Sequence, residues 1–313
     1  GSEGWRMPPI IDEGVNALSA VGDAYNYGMD QDEINSRALG MAGFMMGGGG
    51  LAARPAGGTG MFAGRLAKTA DQEALAIAER LAAEGADRRA IWDQTGWFQG
   101  PDSKWRFEID DSKAYADVTE GIADGWKPSE RWPLGHVLGH RDAFAAYPSL
   151  DDAGIQYRQF PQNYKDAIGS YAQNGDQIVL NSSHRNFGDD KAALSAILHE
   201  GQHRIQSTEG YARGGNRGVF TPEEIAAERI RIAAVPEDNT GWTSVGTGAG
   251  DAPDTDVALG LYKRLAGETE ARNVQKRMNM SADQRKATPP WETQDIPDAD
   301  QIVRLYSNAS KEG

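Results

Sequence analysis

His199, Glu200 and His203 stand in the order H-E-x-x-H inside L-S-A-I-L-H-E-G-Q-H-R-I-Q, residues 194–206, and that order has a use only on a helix. A helix turns about 100° per residue, so side chains four apart lie one above the other with the Glu beside them. Two imidazoles so placed can grip one cation, and the neighbouring carboxylate can take a proton from water, which makes zinc the natural reading. The surroundings support a helix. Leu194, Ile197, Leu198 and Ile205 recur at helical spacing, and Asp189 and Asp190 stand where a helix N-terminus favours acids. Gly201 costs a helix interior about 1 kcal/mol relative to Ala, a cost that makes sense where another backbone or a ligand comes close. The plain alternative is two histidines on a buried helix face with no ion.

The absence of cysteine from all 313 residues removes disulfides, thiolate nucleophiles and Cys-type zinc sites together, so a zinc site here must use His and carboxylate. A net charge of −14 sets the mean field against phosphates, and no nucleic-acid partner is expected. The length suits one large domain or two ordinary ones.

Residues 1–67 read as a flexible Gly-rich segment or linker. The uncharged run at 38–53 is shorter than the roughly 20 apolar residues of a membrane span, and its glycines weaken a helix, so membrane contact is the less favoured reading. Residues 68–313 read as one domain. Helices are expected at 70–83, stopped by Gly85, and over a short stretch ending at Thr95 and Gly96. Trp105, Phe107 and Ile109 alternate as in a half-buried strand, and 155–160 and 177–180 are further strands. The last could form an antiparallel edge holding an extended peptide by strand addition. His136 and His140 are also four apart, but they lack an adjacent acid and sit among Gly135, Gly139 and prolines, which disfavours a second metal pair. The Gly-rich run E-G-Y-A-R-G-G-N-R-G after the motif could wall or cover a site. Thr221, Pro222, Glu223 and Glu224 form a capping box with Pro at the first helical position. One helix is expected over 256–278, followed by an extended, prolyl tail, T-P-P-W-E-T-Q-D-I-P. Together these elements predict an α+β fold, mainly helical, with a small antiparallel or mixed sheet packed on the motif helix.

Two histidines need a third ligand, since a catalytic zinc keeps three protein donors and one open position. On a wheel over 256–278 with Leu261 at zero, Leu265 falls near 40° and Glu268 near 340°, inside the apolar arc. Glu270 falls near 180°, less central yet still a candidate. A carboxylate on a buried face needs a cation, and zinc supplies one. The rival is an exposed pair between Glu268 and Arg272.

H-E-x-x-H with a distant Glu on a later helix resembles the Glu-type zincin metallopeptidases, whose third ligand often opens an E-x-x-A-D or E-x-x-A-N run. E-T-E-A-R at 268–272 matches the Glu and the Ala but carries Arg272 at the last place, which leaves the ligands' supporting partners unassigned. More closely, T-G-W-F with K-W-R-F-E-I-D-D-S, A-F-A-A-Y-P, L-H-E-G-Q-H-R-I-Q-S-T-E-G-Y-A-R-G-G-N and L-A-G-E-T-E-A-R-N-V-Q-K-R-M look like a zincin-like domain of the large polyvalent proteins of phages and mobile elements. The resemblance implies a zincin-like fold, a phage or prophage origin, residence in a virion or the bacterial host cytoplasm, and metallopeptidase activity on a protein or peptide substrate. The expected roles are His199, His203 and Glu268 as ligands of Zn2+ and Glu200 as general base. Tyr211 is the expected oxyanion donor, with His184 and Arg213 as other candidates. The alternative is a non-catalytic virion or host-interaction module with a structural or vestigial zinc site.

Overall fold

Residues 60–234 and 253–306 are described by a computed structural model, and their elements form an α+β fold. The expected flexible segment therefore falls outside the described residues up to position 59. From Gly60 to Ala67 the chain is already core: Met61, Phe62 and Ala63 are buried, and Phe62–Ala63 (β1) pairs antiparallel with Trp105–Glu108 further on. Residues 60–67, read from the sequence as the end of the Gly-rich segment, thus carry a short apolar strand packed into the described part of the chain.

Asp71 accepts the Ala74 N–H and opens helix Gln72–Ala83 (α1). Asp87 caps Arg88–Thr95 (α2), which Gly96 stops in the left-handed region at φ 76°. Phe98–Gln99 (β2) and Trp105–Glu108 (β3) complete a three-stranded sheet in the order β1-β3-β2. Next come Tyr115–Ala116 (β4), Val118–Ala123 (α3), Trp132–Pro133 (β5), Leu138–Gly139 (β6) and Arg141–Ala146 (α4). Gly154–Arg158 (β7), Gly169–Ala172 (β8) and Gln177–Asn181 (β9) join β5 in a mixed sheet ordered β5-β7-β9-β8, with β7 and β9 parallel and β8 antiparallel to β9. β9, expected as an edge, is interior. The edges are β5 and β8, the latter a G-S-Y-A tetrapeptide with little strand character.

The motif stretch lies in helix Asp190–Glu209 (α5), capped by Asp189 and ended by Gly210 at φ 68°. Ile197 and Leu198 are fully buried, each contributing about 1.5–3 kcal/mol, and join Leu134, Leu150, Ile155, Ile178 and Leu180 in the main core. The close approach at Gly201 comes from the Met61 side chain, whose Cε would lie 3.0 Å from an added Cβ. Pro222–Ala233 (α6) carries the full capping box of Thr221 and Glu224.

The helix expected over 256–278 is two helices, Asp254–Lys263 (α7) and Ala266–Arg277 (α8). Leu265 between them is extended and bridges Ile302 in parallel; Ala266 N–H donates to the Ile302 carbonyl and Ile302 N–H to that of Arg264. A distant segment thus takes over main-chain bonds that an unbroken helix would have made. Ala282–Ala287 (α9) and Pro290–Thr293 (α10) follow, so the prolyl tail contains a helical turn, which Pro290 at the first helical position permits. α5 packs along α8 on one side and against β8 and β9 on another. No helix among the described residues is long and apolar enough to cross a membrane.

Candidate metal centre

α5 and α8 bring three donor groups to one point. The Nε2 atoms of His199 and His203 lie 3.3 Å apart. The two oxygens of Glu268 close on them, Oε1 at 3.3 Å from His203 Nε2 and Oε2 at 3.6 Å from His199 Nε2. With zinc–ligand bonds of 2.0–2.2 Å, the edges of a tetrahedron are about 3.3–3.6 Å, so these separations suit one zinc ion. His199 and His203 are 3% and 6% exposed, and Glu200 and Glu268 are fully buried. His199, Glu200 and His203 can also present one donor atom each within 4.8 Å, but Glu268 is the carboxylate that meets both imidazoles.

The proton positions on the rings follow from their partners. His203 Nδ1 lies 2.9 Å from Gln206 Oε1 and His199 Nδ1 lies 3.1 Å from Gln275 Oε1. The amide orientations are set in turn, since Gln206 Nε2 donates to the Gly267 carbonyl and Gln275 Nε2 to that of Ser195. An amide oxygen only accepts, so each Nδ1 carries a proton toward its glutamine and each ring turns its Nε2 toward the other. Two Nε2 atoms and a carboxylate converging in a buried site are matched by positive charge, either a metal ion or a proton on a ring. Burial lowers the pKa of His203, but the charge of Glu268 outweighs it and raises the value to about 9. Burial likewise raises the Glu268 pKa, yet His203 and His199 together hold it well below the usual carboxylate range.

Glu268 is fixed from two further sides, by the Tyr262 hydroxyl at 2.7 Å and the Gly215 N–H at 3.0 Å. The Gly-rich run after α5 is therefore a wall of the site. A Cβ on Gly214 would lie 2.0 Å from Glu268 Oε1, and one on Gly267 would lie 2.3 Å from the main chain of Arg213 and Gly214. Only bare backbone fits at this crossing. The Tyr306 hydroxyl lies 3.5 Å from the His203 carbonyl, and Arg213 N–H donates to the Arg304 carbonyl, so residues 302–306 flank the same wall.

Glu200 differs from its neighbours. Neither of its carboxylate oxygens has a partner in good hydrogen-bond geometry, though the Tyr171 N–H of β8 is near enough to act on its charge. Burial raises its pKa, with His199 and His203 pulling it down and Glu268 pushing it up. A Cβ on Gly169 would lie 3.5 Å from Glu200 Oε1, which places the start of edge strand β8 directly over the carboxyl group.

The other expected residues lie elsewhere. Tyr211 donates to the Trp105 carbonyl at 2.8 Å, with the Arg106 guanidinium 3.8 Å over its ring, so its hydroxyl is committed to β3 rather than to the histidines. His184 accepts the Asn186 N–H in its own turn, and Arg213 is an exposed neighbour of Tyr306. His140 Nδ1 accepts the Ala143 N–H as the cap of α4, and burial lowers its pKa to about 4; the His136 ring packs edge-on against Trp132. These two histidines form no metal group. Arg272 is bound to Asp295 and to the Lys263 carbonyl, so the exposed pair with Glu268 does not form. Glu270 faces away from the imidazoles and pairs with Arg106. Sequence reasoning missed Gln206, Gln275 and Tyr262, although Gln206 stands three residues after His203 on the same helix, a spacing that places side chains together.

Fold and site define an α+β protein with a buried His–Glu cluster, on two packed helices, suited to a metal ion. Residues 60–118 match the family model of large polyvalent protein associated domain 23, and this part of the chain is similar to that domain. No curated protein and no solved structure matches the chain. The matched part spans β1 to β4 and ends before the motif helix. It supplies Phe62, Asp102 and Arg106, which brace the site from behind.

Proposed function

We propose that the chain is a zinc-dependent peptidase encoded by a phage or prophage, with His199, His203 and Glu268 as the metal ligands. The observation that carries this reading is the meeting of three donors at metal spacing beside a buried carboxylate that no side chain holds. A bound zinc supplies Lewis acidity, which polarises a scissile carbonyl and makes water a better acid. Glu200 takes the proton from water and passes it to the leaving amine; burial raises its pKa, the direction that makes it a better proton acceptor. Gln206 and Gln275 hold the imidazoles with their Nε2 atoms inward, and Tyr262 and the Gly215 N–H hold Glu268. An extended substrate segment adds to the free edge of β8, the strand that runs over Glu200.

Zinc measured by elemental analysis in wild type, His199→Ala and Glu268→Ala tests the ligands. Cleavage of a peptide library by wild type and Glu200→Gln tests the chemistry. Folded wild type without zinc, or zinc undiminished in both ligand variants, sinks the ligand assignment. Full turnover by Glu200→Gln sinks the general-base role. The near-complete burial of the cluster favours a second reading, a non-catalytic interaction module with a structural zinc, which predicts stoichiometric metal and no cleavage of any peptide.

A further inference from the structure

We propose that Glu270 is a positioning residue: through Gln206 it fixes which nitrogen of His203 faces the metal site. The inference rests on His203 as a metal ligand. Glu270 Oε1 accepts two amide donors from α5, Gln202 Nε2 at 2.8 Å and Gln206 Nε2 at 3.1 Å, while Oε2 is held by Arg106 Nε. Arg106 is in turn clamped by Asp102, which accepts from both guanidinium NH groups and from the Ala212 N–H. Gln202 cannot turn over, because its oxygen accepts the Phe62 N–H at 2.9 Å and its nitrogen donates to the Phe62 carbonyl at 3.0 Å.

Gln206 has the same rigidity, with Glu270 and the Gly267 carbonyl both demanding its NH2 end. Its oxygen is therefore left for His203 Nδ1. If the amide were reversed, an NH2 group would face Nδ1, that nitrogen would have to accept, and the ring proton would move to Nε2, where the metal belongs. The carboxylate thus sets the metal-competent form of an imidazole it does not touch. Gln, which gives acceptors no net charge, takes the place where a carboxylate would make the ring more basic.

The test follows the His203 Nδ1–H resonance by 1H–15N NMR in the full chain, zinc-free and zinc-loaded, beside zinc affinity from competition with a chromogenic chelator. Nδ1 carries the proton whether or not the ring is charged, so wild type shows a protected, downfield Nδ1–H resonance in both states. Glu270→Gln puts an NH2 group against Arg106 or against the two glutamines; the resonance is lost and zinc affinity falls about 10–100-fold. Gln206→Leu, which keeps the bulk, loses both. A wild type lacking the Nδ1–H resonance, a folded Glu270→Gln that keeps it, or a Gln206→Leu that binds zinc as wild type overturns the proposal. The zinc-free spectrum does not depend on turnover, so absence of peptidase activity defeats the proposed function and leaves this inference standing.

Discussion

Two carboxylate clusters flank α5, and they differ in one respect. In the rear cluster Asp102, Arg106 and Glu270 form an ion triad whose acids also accept amide donors. In the front cluster no side chain donates to the fully buried Glu200, while the Nε2 atoms of His199 and His203 face each other and Glu268. The rear arrangement is complete as it stands. The front one leaves a carboxylate and two inward Nε2 atoms for a metal ion to use, and that asymmetry separates a brace from a site.

The largest effect expected from breaking this contrast is in turnover. Glu200→Gln lowers kcat about 10²–10⁴-fold with zinc content unchanged, as read by peptide cleavage beside elemental analysis. On the rear side, Arg106→Leu leaves two buried acids without their cation and destabilises the fold by about 3–5 kcal/mol in urea titration, where a change under 1 kcal/mol removes the idea of a brace. Glu200→Leu has the opposite sign in zinc-free protein: with a buried polar group that no side chain holds replaced by an apolar one of similar bulk, stability rises by about 1–3 kcal/mol, and a loss of stability contradicts the picture of an unsatisfied acid. Smallest, Tyr262→Phe removes one donor to Glu268 and weakens zinc binding about tenfold, close to 1.4 kcal/mol, measurable by chelator competition.

The same contrast explains what was legible in the residues alone. His199, Glu200 and His203 are readable because a helix repeats locally, and the caps at Asp189 and Thr221 are readable for the same reason. Glu268 is reached by a wheel laid over an unbroken helix that does not exist. The outcome survives because Glu268, Ala271 and Gln275 share a face within α8 alone, whereas Leu261 belongs to α7. Gln206, Gln275 and Glu270 take their roles from partners far away in sequence, and nothing in their own neighbourhoods marks them. The edge position of β8 is likewise a matter of pairing. Four residues, three of them small, carry no alternation to read, while the more strand-like β9 ends up paired on both sides. Tyr211 looked close to the motif by number, but the turn at Gly210 sends it to β3.

The bridge between Leu265 and Ile302 has a consequence for the timing of synthesis. It breaks the helix just ahead of Glu268, and its second half is among the last described residues to be made. At about 5–20 residues per second, roughly 5–20 s separate the translation of His203 from that of Ile302. During that interval the nascent chain owns both imidazoles but not the clasp that sets the start of α8 against them. Among the described residues, the last stretch to emerge is the one that closes the centre.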